Sequence, residues 1–277
     1  MNAHLLLDWA KDHGRDLPWR HTRDPWAVLV SEVMAQQTQV QRVIPKWLAF
    51  LERWPTPAAC AAASLGDVLR LWEGLGYPRR ARNLHACAQA IAEPATFPAT
   101  LDALLALPGI GAYTARAVLA FAFERDVAVV DTNSARVLAR WHGRRLGAAE
   151  VQLAADSAVP SGQGWAWNQA MLDLGATLCT MRAPACERCP VISRCAYRGE
   201  GEDPARGTVG VSVAQAPFAG SDRQARGAIL RAVARSPLDG HRVAVEAGID
   251  EQRSRRLVDA LVAERLLVQR AGVLYLP

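Results

Sequence analysis

The sequence predicts a mostly α-helical protein, and three observations support this. From Leu5 to about Cys195, apolar residues recur every three or four positions, as at Val28, Leu29 and Met34. Almost no stretch of this region alternates apolar and polar residues as a half-buried strand would. Glycine, proline and capping residues interrupt the periodicity at short intervals, at positions 16–19, 24–25, 54–57, 74–78, 94–98, 108–111 and 125–131. The pattern therefore predicts a bundle of short helices.

The C-terminal region has a different character. Residues 199–220 are rich in glycine, proline, alanine and acidic residues, which is typical of a linker. The remaining residues, 221–277, predict helices near 222–235, 242–247 and 251–265, then strands at 266–269 and 273–276 around an Ala-Gly turn. Three helices followed by a hairpin predict a winged-helix-like module, which could contact DNA, contact a protein or simply cap its neighbour.

Composition limits the class of protein. The 277 residues are 51% hydrophobic, and the net charge of +5 permits a polyanionic partner without requiring one. No apolar run is long enough to span a bilayer, and the N-terminus lacks the pattern of a signal peptide, so we expect a cytoplasmic protein. Only Lys11 and Lys46 are lysines, which leaves few side-chain amines for chemistry.

Four cysteines indicate a metal or cluster site. They follow the spacing C-x6-C-x2-C-x5-C and are Cys179, Cys186, Cys189 and Cys195. A zinc ribbon usually has two separated Cys-x2-Cys pairs, and this segment has one, so the spacing favours a 4Fe-4S cluster over a structural zinc ion. The other two cysteines, Cys60 and Cys87, lie in helical patterns and are predicted to be small buried residues.

A glycine-rich turn and two acidic residues are candidates for DNA binding and catalysis. Gly109, Ile110 and Gly111 stand between two helical segments, where backbone N–H groups can bind a phosphate, although a plain helix-to-helix turn explains the same pattern. Asp131 begins a helix; it is either an ordinary N-cap or a carboxylate that stabilises positive charge on a sugar. Glu32 lies in an apolar helical segment; it is either an exposed helix residue or a buried acid with a raised pKa.

Taken together, these motifs resemble one family, the helix-hairpin-helix DNA glycosylases of the endonuclease III superfamily, and within it the MutY-type adenine glycosylases. The resemblance covers about residues 5–198. It rests on the order of Glu32, the glycine hairpin, Asp131 and the cysteines, and on the segments LPWR at 17–20, SEVMAQQTQV at 31–40, GLGY at 74–77 and NQAMLDLG at 168–175.

The resemblance implies a fold and a division into domains. It implies a two-lobed all-α glycosylase fold with a 4Fe-4S loop, to which the winged-helix-like module is added. An iron–sulfur cluster lobe would comprise residues 1–24 with 128–198, and a six-helix lobe with the hairpin would comprise residues 25–127. The linker at 199–220 and the module at 221–277 would follow.

The resemblance also implies roles for individual residues. Glu32 would protonate the flipped adenine, Asp131 would support the oxocarbenium-like sugar, and Tyr113 and Asn133 would assist. Arg20 and Gln169 would lie near the adenine. The residues that would probe the opposite base and wedge the stack are Gln37, Thr38, Leu75 and Tyr77.

The implied activity is hydrolytic removal of adenine from mispairs of double-stranded DNA, with 8-oxoguanine or guanine opposite, by a monomer that leaves an abasic site. Tyr113 stands where endonuclease III enzymes have the lysine that cuts the strand, so strong lyase activity is not expected. The alternatives are a glycosylase for thymine or another mispaired base, and a catalytically inactive iron–sulfur protein that binds DNA.

Two departures and one difference in domain content set this chain apart from the family pattern. Ala35 occupies a position that is often leucine, and Thr132 replaces the commoner glycine after the catalytic aspartate. The winged-helix-like module also stands where the family usually has a domain that checks for 8-oxoguanine. The preferred opposite base therefore stays open.

Overall fold

The computed structural model describes residues 3–92, 96–211 and 217–277 of the chain. Part of the predicted break at 94–98 and part of the predicted linker at 199–220 lie outside these residues. None of the helices in the described ranges is long and apolar enough to cross a membrane. The fold is helical, as predicted, with one small sheet near the C-terminus.

Fourteen α-helices were found among the described residues. They are α1 Ala3–His13, α2 Pro25–Ala35, α3 Val40–Arg53, α4 Pro57–Ala61, α5 Leu65–Trp72, α6 Arg79–Ala92, α7 Leu101–Leu105, α8 Ala112–Phe121, α9 Thr132–His142, α10 Ala148–Ala158, α11 Gly164–Thr177, α12 Asp222–Arg235, α13 Val243–Ala247 and α14 Glu251–Ala263. The three strands are β1 Leu238–Asp239, β2 Val268–Arg270 and β3 Val273–Tyr275.

The chain divides into two compact units. Unit 1 comprises Met1–Val28, Ala99–Leu105 and Ile110–Ala214, and unit 2 comprises Leu29–Pro98, Ala106–Gly109 and Gln215–Pro277. The four-part division expected from the sequence stays a prediction. Residues 199–211 of the predicted linker belong to unit 1, and two of them are fully or almost fully buried, Ala205 at 0% and Thr208 at 4% exposure.

The core of unit 1 is built around α1, α9 and α11, which pack against one another. Side chains from all three helices are buried in one cluster that includes Leu6, Leu138 and Trp167. Local sequence explains where α9 begins and ends. Asp131 and Ser134 form a capping box at its start, and Gly143 takes the left-handed conformation, with φ of 64°, at its end.

Unit 2 combines α3–α6 with the C-terminal module. In the module, α12, α13 and α14 are followed by the β2–β3 hairpin, and β1 adds to β3 to give the antiparallel order β1-β3-β2. Ala271 and Gly272 have positive φ of 46° and 81°, as a two-residue hairpin turn that matches the twist of the strands requires. This is the predicted winged-helix-like arrangement, with one additional two-residue strand.

The module is tied to the helices of unit 2 at several points. The N–H of Gly66 donates to the carbonyl of Pro277 at 2.6 Å. The Glu264 carboxylate, between α14 and β2, accepts hydrogen bonds from Arg79 of α6 and Arg226 of α12. Hydrogen bonds from Arg79 and Arg226 outweigh the effect of burial and lower the pKa of Glu264 to about 2. The module and α6 are therefore held together by a charged group that stays ionised at any ordinary pH.

We expect two glycine substitutions to change stability in opposite directions. A methyl group on Gly164, the first residue of α11, would overlap the carbonyl of Arg125, so Gly164→Ala should lower the free energy of unfolding by about 1–3 kcal/mol. Gly227 lies inside α12 with no atom within 4 Å of an added Cβ, so Gly227→Ala should raise it by about 0.5–1 kcal/mol. Urea denaturation measures both; equal changes would contradict the packing described.

Candidate functional site

The Asp131 carboxylate is held at the start of α9 by groups on its own helix. Its Oδ1 accepts from the backbone N–H groups of Asn133 at 2.8 Å and Ser134 at 2.7 Å, and its Oδ2 accepts from the Asn133 amide at 2.8 Å. The N-cap interpretation is therefore correct for the local structure. It does not exclude the catalytic one, because a helix N-terminus favours a negative charge and this side chain is only half-buried.

Asn133 is held from two further directions. Its Oδ1 accepts from Nη2 of Arg136 at 2.8 Å, and the same guanidinium donates to the carbonyls of Gly175 at 2.6 Å and Cys179 at 2.7 Å. A Cβ on Gly175 would lie 2.6 Å from Cβ of Asn133, so α11 and α9 approach this closely only because residue 175 is glycine. One arginine thus joins the Asp131 cap to the beginning of the cysteine loop.

Arg20 is locked into a buried ion pair. Its Nη1 and Nη2 donate to the two oxygens of Asp173 at 2.7 and 2.8 Å, and Nε of Arg15 donates to the same carboxylate at 2.5 Å. The Arg20 and Asp173 side chains are 9% and 1% exposed. Burial alone would raise the pKa of Asp173, but the hydrogen bonds and charges of Arg20 and Arg15 lower it below its ordinary value. Nε of Arg20 is buried without a hydrogen-bond partner among the described residues.

Other predicted residues of unit 1 lie on the neighbouring helices. Tyr113 is half-buried in the first turn of α8, and Gln169 is buried on α11, which packs against α8. Asn168, next to Gln169, has a structural role, because its amide bonds to the backbone of Val127 and Val129.

The glycine hairpin has the predicted shape between α7 and α8. Gly109 has φ of 75°, and an added Cβ there would lie 2.5 Å from Asn83 of α6. Gly111 is extended, with φ of −96°, and caps α8 with open space around it. Positive φ is therefore required at one of the two glycines only. Ile110 between them is 7% exposed, which anchors the turn.

The four cysteines lie in a loop with two short 3₁₀ turns, Cys186–Arg188 and Ile192–Arg194. All four thiols are free, and burial followed by the charges of its three neighbours raises the pKa of Cys189 to about 11. Nη1 of Arg140 lies 3.3 Å from Sγ of Cys179, and Sγ of Cys195 donates to the Arg140 carbonyl at 3.4 Å. Within the described ranges, however, no group of three or more cysteine, histidine or acidic side chains is arranged to hold a metal ion.

The chemistry of these residues nevertheless fits a cluster. Four free thiols share one loop, and the Arg140 guanidinium favours negative charge on the Cys179 sulfur. The side chains as they stand do not close around an ion. Cys60 and Cys87 are fully buried on other helices, as predicted.

In unit 2, Glu32 lies near the end of α2 with 9% of its surface exposed. The interpretation of Glu32 as an exposed helix residue is therefore wrong. The adjacent residues Val33 and Met34 are also buried, so Glu32 lies in a segment that is largely removed from water, as a proton-donating carboxyl group requires.

The residues predicted to probe DNA lie on two loops joined by Arg80. Nη1 of Arg80 donates to the carbonyls of Val33, Met34 and Gln36, and Nη2 donates to Oγ1 of Thr38 and to the carbonyls of Leu75 and Gly76. All six distances lie between 2.7 and 3.0 Å. Burial lowers the pKa of this guanidinium to about 10, so it stays charged at neutral pH. Its Nε has no hydrogen-bond partner among the described residues.

These two loops have unusual backbone conformations. Gln37 and Tyr77 have φ of 54° and 49°, which residues other than glycine rarely adopt. Thr38 donates to the carbonyl of Leu75 at 3.1 Å and so joins the loops a second time. Leu75, the predicted wedge, is 4% exposed, whereas Gln37 is exposed. Strained residues held in place by their surroundings are typical of functional loops.

The predicted residues are divided between the two units, and within unit 1 the structure joins Asp131 to Asn133 directly and to the start of the cysteine loop through Arg136. Unit 1 holds Arg20, Tyr113, Asp131, Asn133, Gln169 and the four cysteines; unit 2 holds Glu32, Gln37, Thr38, Leu75 and Tyr77. Sequence reasoning missed Arg80, Arg136 and Asp173. Asp173 lies inside the NQAMLDLG segment, and Arg80 and Arg136 follow recognised motifs, but many of their partners are distant in the chain, and no local pattern indicates such partners.

The chain resembles known proteins over most of its length. The model of the HhH-GPD superfamily, described as base excision DNA repair proteins, matches residues 30–159. An adenine DNA glycosylase of Mycolicibacterium smegmatis is 44% identical over 96% of this chain and 92% of its own length. The human adenine DNA glycosylase is 42% identical over 70% of this chain and 38% of its own length.

Solved structures support the same fold. A thermostable thymine-DNA glycosylase has a TM-score of 0.66 and 27% identity, covering 71% of this chain and 94% of its own. An endonuclease III trapped covalently on DNA has a TM-score of 0.63 and covers 71% of this chain and 93% of its own. Its 24% identity supports a shared fold only.

The buried Asp173 ion pair should contribute stability that depends on pH. Because the folded pKa lies below the ordinary value of 3.8, this contribution is present above about pH 4 and is lost as the pH falls through the folded pKa. We expect Asp173→Asn to lower the free energy of unfolding by about 3 kcal/mol at pH 7, because it leaves Arg20 buried without its counterion.

Urea denaturation at several pH values measures this effect, and the difference from the unmodified protein should narrow below pH 4. Asp12→Asn is the control, since Asp12 is an exposed aspartate of α1. A difference that does not change with pH would contradict the ionised pair.

Proposed function

From the premise that this chain belongs to the adenine DNA glycosylases of the HhH-GPD superfamily, we propose that it removes adenine from mispairs in double-stranded DNA. The 44% identity to an adenine DNA glycosylase over nearly the whole chain confirms the family predicted from the sequence. The observation that carries the proposal is the Asp131 carboxylate, which backbone and amide donors hold at a helix N-terminus while its side chain stays half-buried. A fixed anion of this kind suits a reaction that builds positive charge on a sugar.

The proposed reaction divides the work between two carboxyl groups. Glu32, which is buried, would give a proton to the adenine, so that the electrons of the breaking glycosidic bond pass to a neutral leaving base. Asp131 stabilises the positive charge on the deoxyribose, and Asn133 and Tyr113 position the reacting groups. Water then adds to the sugar carbon and releases a proton, which leaves an abasic site. Arg20 and Gln169 would line the base pocket.

We expect hydrolysis without strong lyase activity. Strand cleavage through a Schiff base needs a side-chain amine. Residue 113, where endonuclease III enzymes have the lysine that cuts the strand, is tyrosine in this chain. The chain has only Lys11 and Lys46 to offer. The hairpin of Gly109, Ile110 and Gly111 would bind a DNA phosphate through its backbone N–H groups.

A second candidate substrate is mispaired thymine. It is favoured by the likeness to a thymine-DNA glycosylase with a TM-score of 0.66. Glu32 favours adenine, because a purine leaves more readily when a buried acid protonates its ring nitrogen. The 44% identity to an adenine DNA glycosylase over nearly the whole chain also favours adenine.

The cysteine loop would hold a 4Fe-4S cluster through Cys179, Cys186, Cys189 and Cys195. The group would supply four bonds that brace a loop with little apolar surface, in place of the hydrophobic contacts that the loop lacks. Arg140 would donate to the Cys179 sulfur, and Arg136 would connect this loop to Asn133 through the Cys179 carbonyl. A monomer located with the chromosome in the cytoplasm remains our expectation.

The proposal predicts that Glu32→Gln abolishes adenine release. We expect single-turnover release from 8-oxoguanine:adenine and guanine:adenine duplexes to fall by at least about a hundredfold, the usual effect of losing a general acid, while DNA affinity changes little. Glu52→Gln is the matched control, since Glu52 is an exposed glutamate of α3. Rapid quenching followed by alkaline cleavage of the abasic product measures the rate.

The same assay with thymine in place of the target adenine separates the two substrates. Faster release of thymine than of adenine would overturn the proposed specificity, and persistent turnover by Glu32→Gln would exclude Glu32 as the acid. Borohydride treatment during turnover should trap no covalent complex; a trapped adduct at Lys11 or Lys46 would contradict the hydrolytic mechanism.

The cluster has a test that does not depend on activity. Protein purified without oxygen should contain about four iron and four sulfide ions per chain. Cys189→Ser should lose most of this content, and the control Cys60→Ala should keep it, because Cys60 is fully buried on α4. Zinc without sulfide in the purified protein would instead support a structural zinc site.

A further inference from the structure

Residues 199–211, which we call the strap, follow the cysteine loop and have no part in the proposed chemistry. The sequence predicts a linker here, but the strap belongs to unit 1. Four of its glycines have positive φ, between 73° and 90°, and the side chains it buries are those of Pro204, Ala205 and Thr208. A segment that buries so little surface stays docked only while its few ties hold.

One ion pair fastens the strap to α9. The two oxygens of Asp203 accept from Nε and Nη2 of Arg140 at 3.0 and 2.7 Å, and the two side chains are 10% and 2% exposed. Burial alone would raise the pKa of Asp203, but the hydrogen bonds from Arg140 and from the Ala205 N–H lower it below its ordinary value. The carboxylate is therefore ionised at neutral pH, and its two bonds fix the plane of the guanidinium.

The remaining nitrogen of the Arg140 guanidinium faces the cysteine loop. Its Nη1 lies 3.3 Å from Sγ of Cys179 and donates to the carbonyl of Thr180 at 2.7 Å. Because a guanidinium is planar and rigid, the bonds along one edge decide where the donors of the other edge point. Asp203 therefore orients the group that meets the Cys179 sulfur.

The strap also approaches the cysteine loop at its first residue. A Cβ on Gly199 would lie 3.2 Å from Sγ of Cys186, so the backbone of the strap passes close to a second sulfur. Further along, the N–H of Leu146 donates to Oγ1 of Thr208 at 3.2 Å, and the N–H of Val209 donates to the Leu146 carbonyl at 3.1 Å. The ties of the strap thus lie on both sides of the Asp203 ion pair.

We propose that the strap stabilises the cluster: Asp203 is a positioning residue that holds Arg140 against the Cys179 sulfur, and strap docking and cluster retention favour each other. Coupling between two sites is reciprocal, so loosening the strap should loosen the cluster, and removing the cluster should free the strap. Thiolate ligands carry negative charge, which the oriented guanidinium offsets without binding iron. The inference rests on the proposed ligation by the four cysteines, and it does not depend on which base is excised.

The first test measures cluster loss in the absence of DNA. Full-length protein purified without oxygen is mixed with an iron chelator, and the visible absorbance of the cluster is followed with time. We expect Asp203→Asn to lose iron about tenfold faster, since residues that orient metal ligands affect affinity by about this factor or more. Glu202→Gln is the matched control, because Glu202 precedes Asp203 and its ion pair with Arg145 is exposed. Asp203→Glu keeps the charge and both oxygens and should recover part of the retention.

The second test determines whether Asp203 acts through Arg140. Arg140→Lys should also speed iron loss, because one ammonium group cannot pair with Asp203 and meet the Cys179 sulfur as two guanidinium edges do. The double variant should lose iron no faster than the faster single variant. Visible circular dichroism of the bound cluster should change alike in both single variants and not in Glu202→Gln. Additive effects on iron loss would overturn the positioning role.

The third test measures the reverse effect. Arg206 is exposed within the strap, and trypsin should cleave after it only when the strap leaves its docked position. Anaerobic removal of the cluster should raise this cleavage rate by about tenfold, within the usual range for coupled sites. Cleavage after Arg235, an exposed residue of α12, should not change. Thr208→Ala weakens the strap away from the ion pair and should speed both cleavage after Arg206 and iron loss.

Each outcome decides the proposal. Iron loss unaffected by Asp203→Asn would refute the role of Asp203, and cleavage after Arg206 that ignores the cluster would refute the coupling. If the purified protein contains zinc without sulfide, the cluster is wrong, and the coupling then stands only if Asp203→Asn speeds zinc loss; protein without any bound metal would overturn it. Adenine release enters none of these measurements, so a failure of the proposed function is recognised separately.

Discussion

The functional loops of this protein depend on buried guanidinium groups. Helices satisfy their own backbone, but the loops between them expose carbonyl groups that must find donors when buried. Arg80 donates to five carbonyls and one hydroxyl at the end of α2 and on the two loops, and Arg136 and Arg140 donate to carbonyls around the cysteine segment. Without these side chains, the carbonyls would be buried without partners, at a cost of about 1–3 kcal/mol each. The positions of the loops therefore follow from the positions of a few arginines on rigid helices.

This arrangement explains why a cap and a catalytic group can be the same residue. Asp131 receives N–H donors because it begins α9, and those donors fix its oxygens without covering the side chain. Asn133 in turn is fixed by Arg136 and by its contact with Gly175. Reorganisation of polar groups is a main cost of stabilising a charged transition state. Here the polar groups around Asp131 are already oriented in the folded protein, so this cost falls on folding and not on the reaction. Local capping and the proposed chemistry are thus two consequences of one geometry.

Prediction from sequence succeeded where the determinants are local. The cap at Asp131, the hairpin at Gly109 and the turn at Ala271–Gly272 each depend on residues within four positions, and each is present in the structure. β1 was missed because two residues, Leu238–Asp239, show no alternation. The Asp173 pair and the Arg80 contacts were missed for another reason. Their partners are up to 158 positions away in the chain, and spacing carries no information about such pairs.

The burial of Glu32 lies between these cases. Its apolar neighbours indicated burial, but an exposed position fitted the same helical pattern, and only packing distinguishes the two. Leu75 differs from Glu32, because the resemblance predicts that it enters DNA, whereas the structure shows it almost fully buried. A leucine that leaves such a position exposes apolar surface unless DNA covers it. The wedge role therefore remains a prediction that depends on movement of the 74–77 loop.

The imbalance of thirty arginines to two lysines has two separate effects. Lysine offers three donors from one atom, and it cannot reach acceptors on two separate segments as Arg80 does through Nη1 and Nη2. Arginine at such positions is therefore required by geometry, whatever the base composition of the gene. Arginine also cannot form a Schiff base, because its guanidinium stays protonated. A chain with two lysines offers few side-chain amines for strand cleavage, which agrees with the proposed release of the base without cutting the strand.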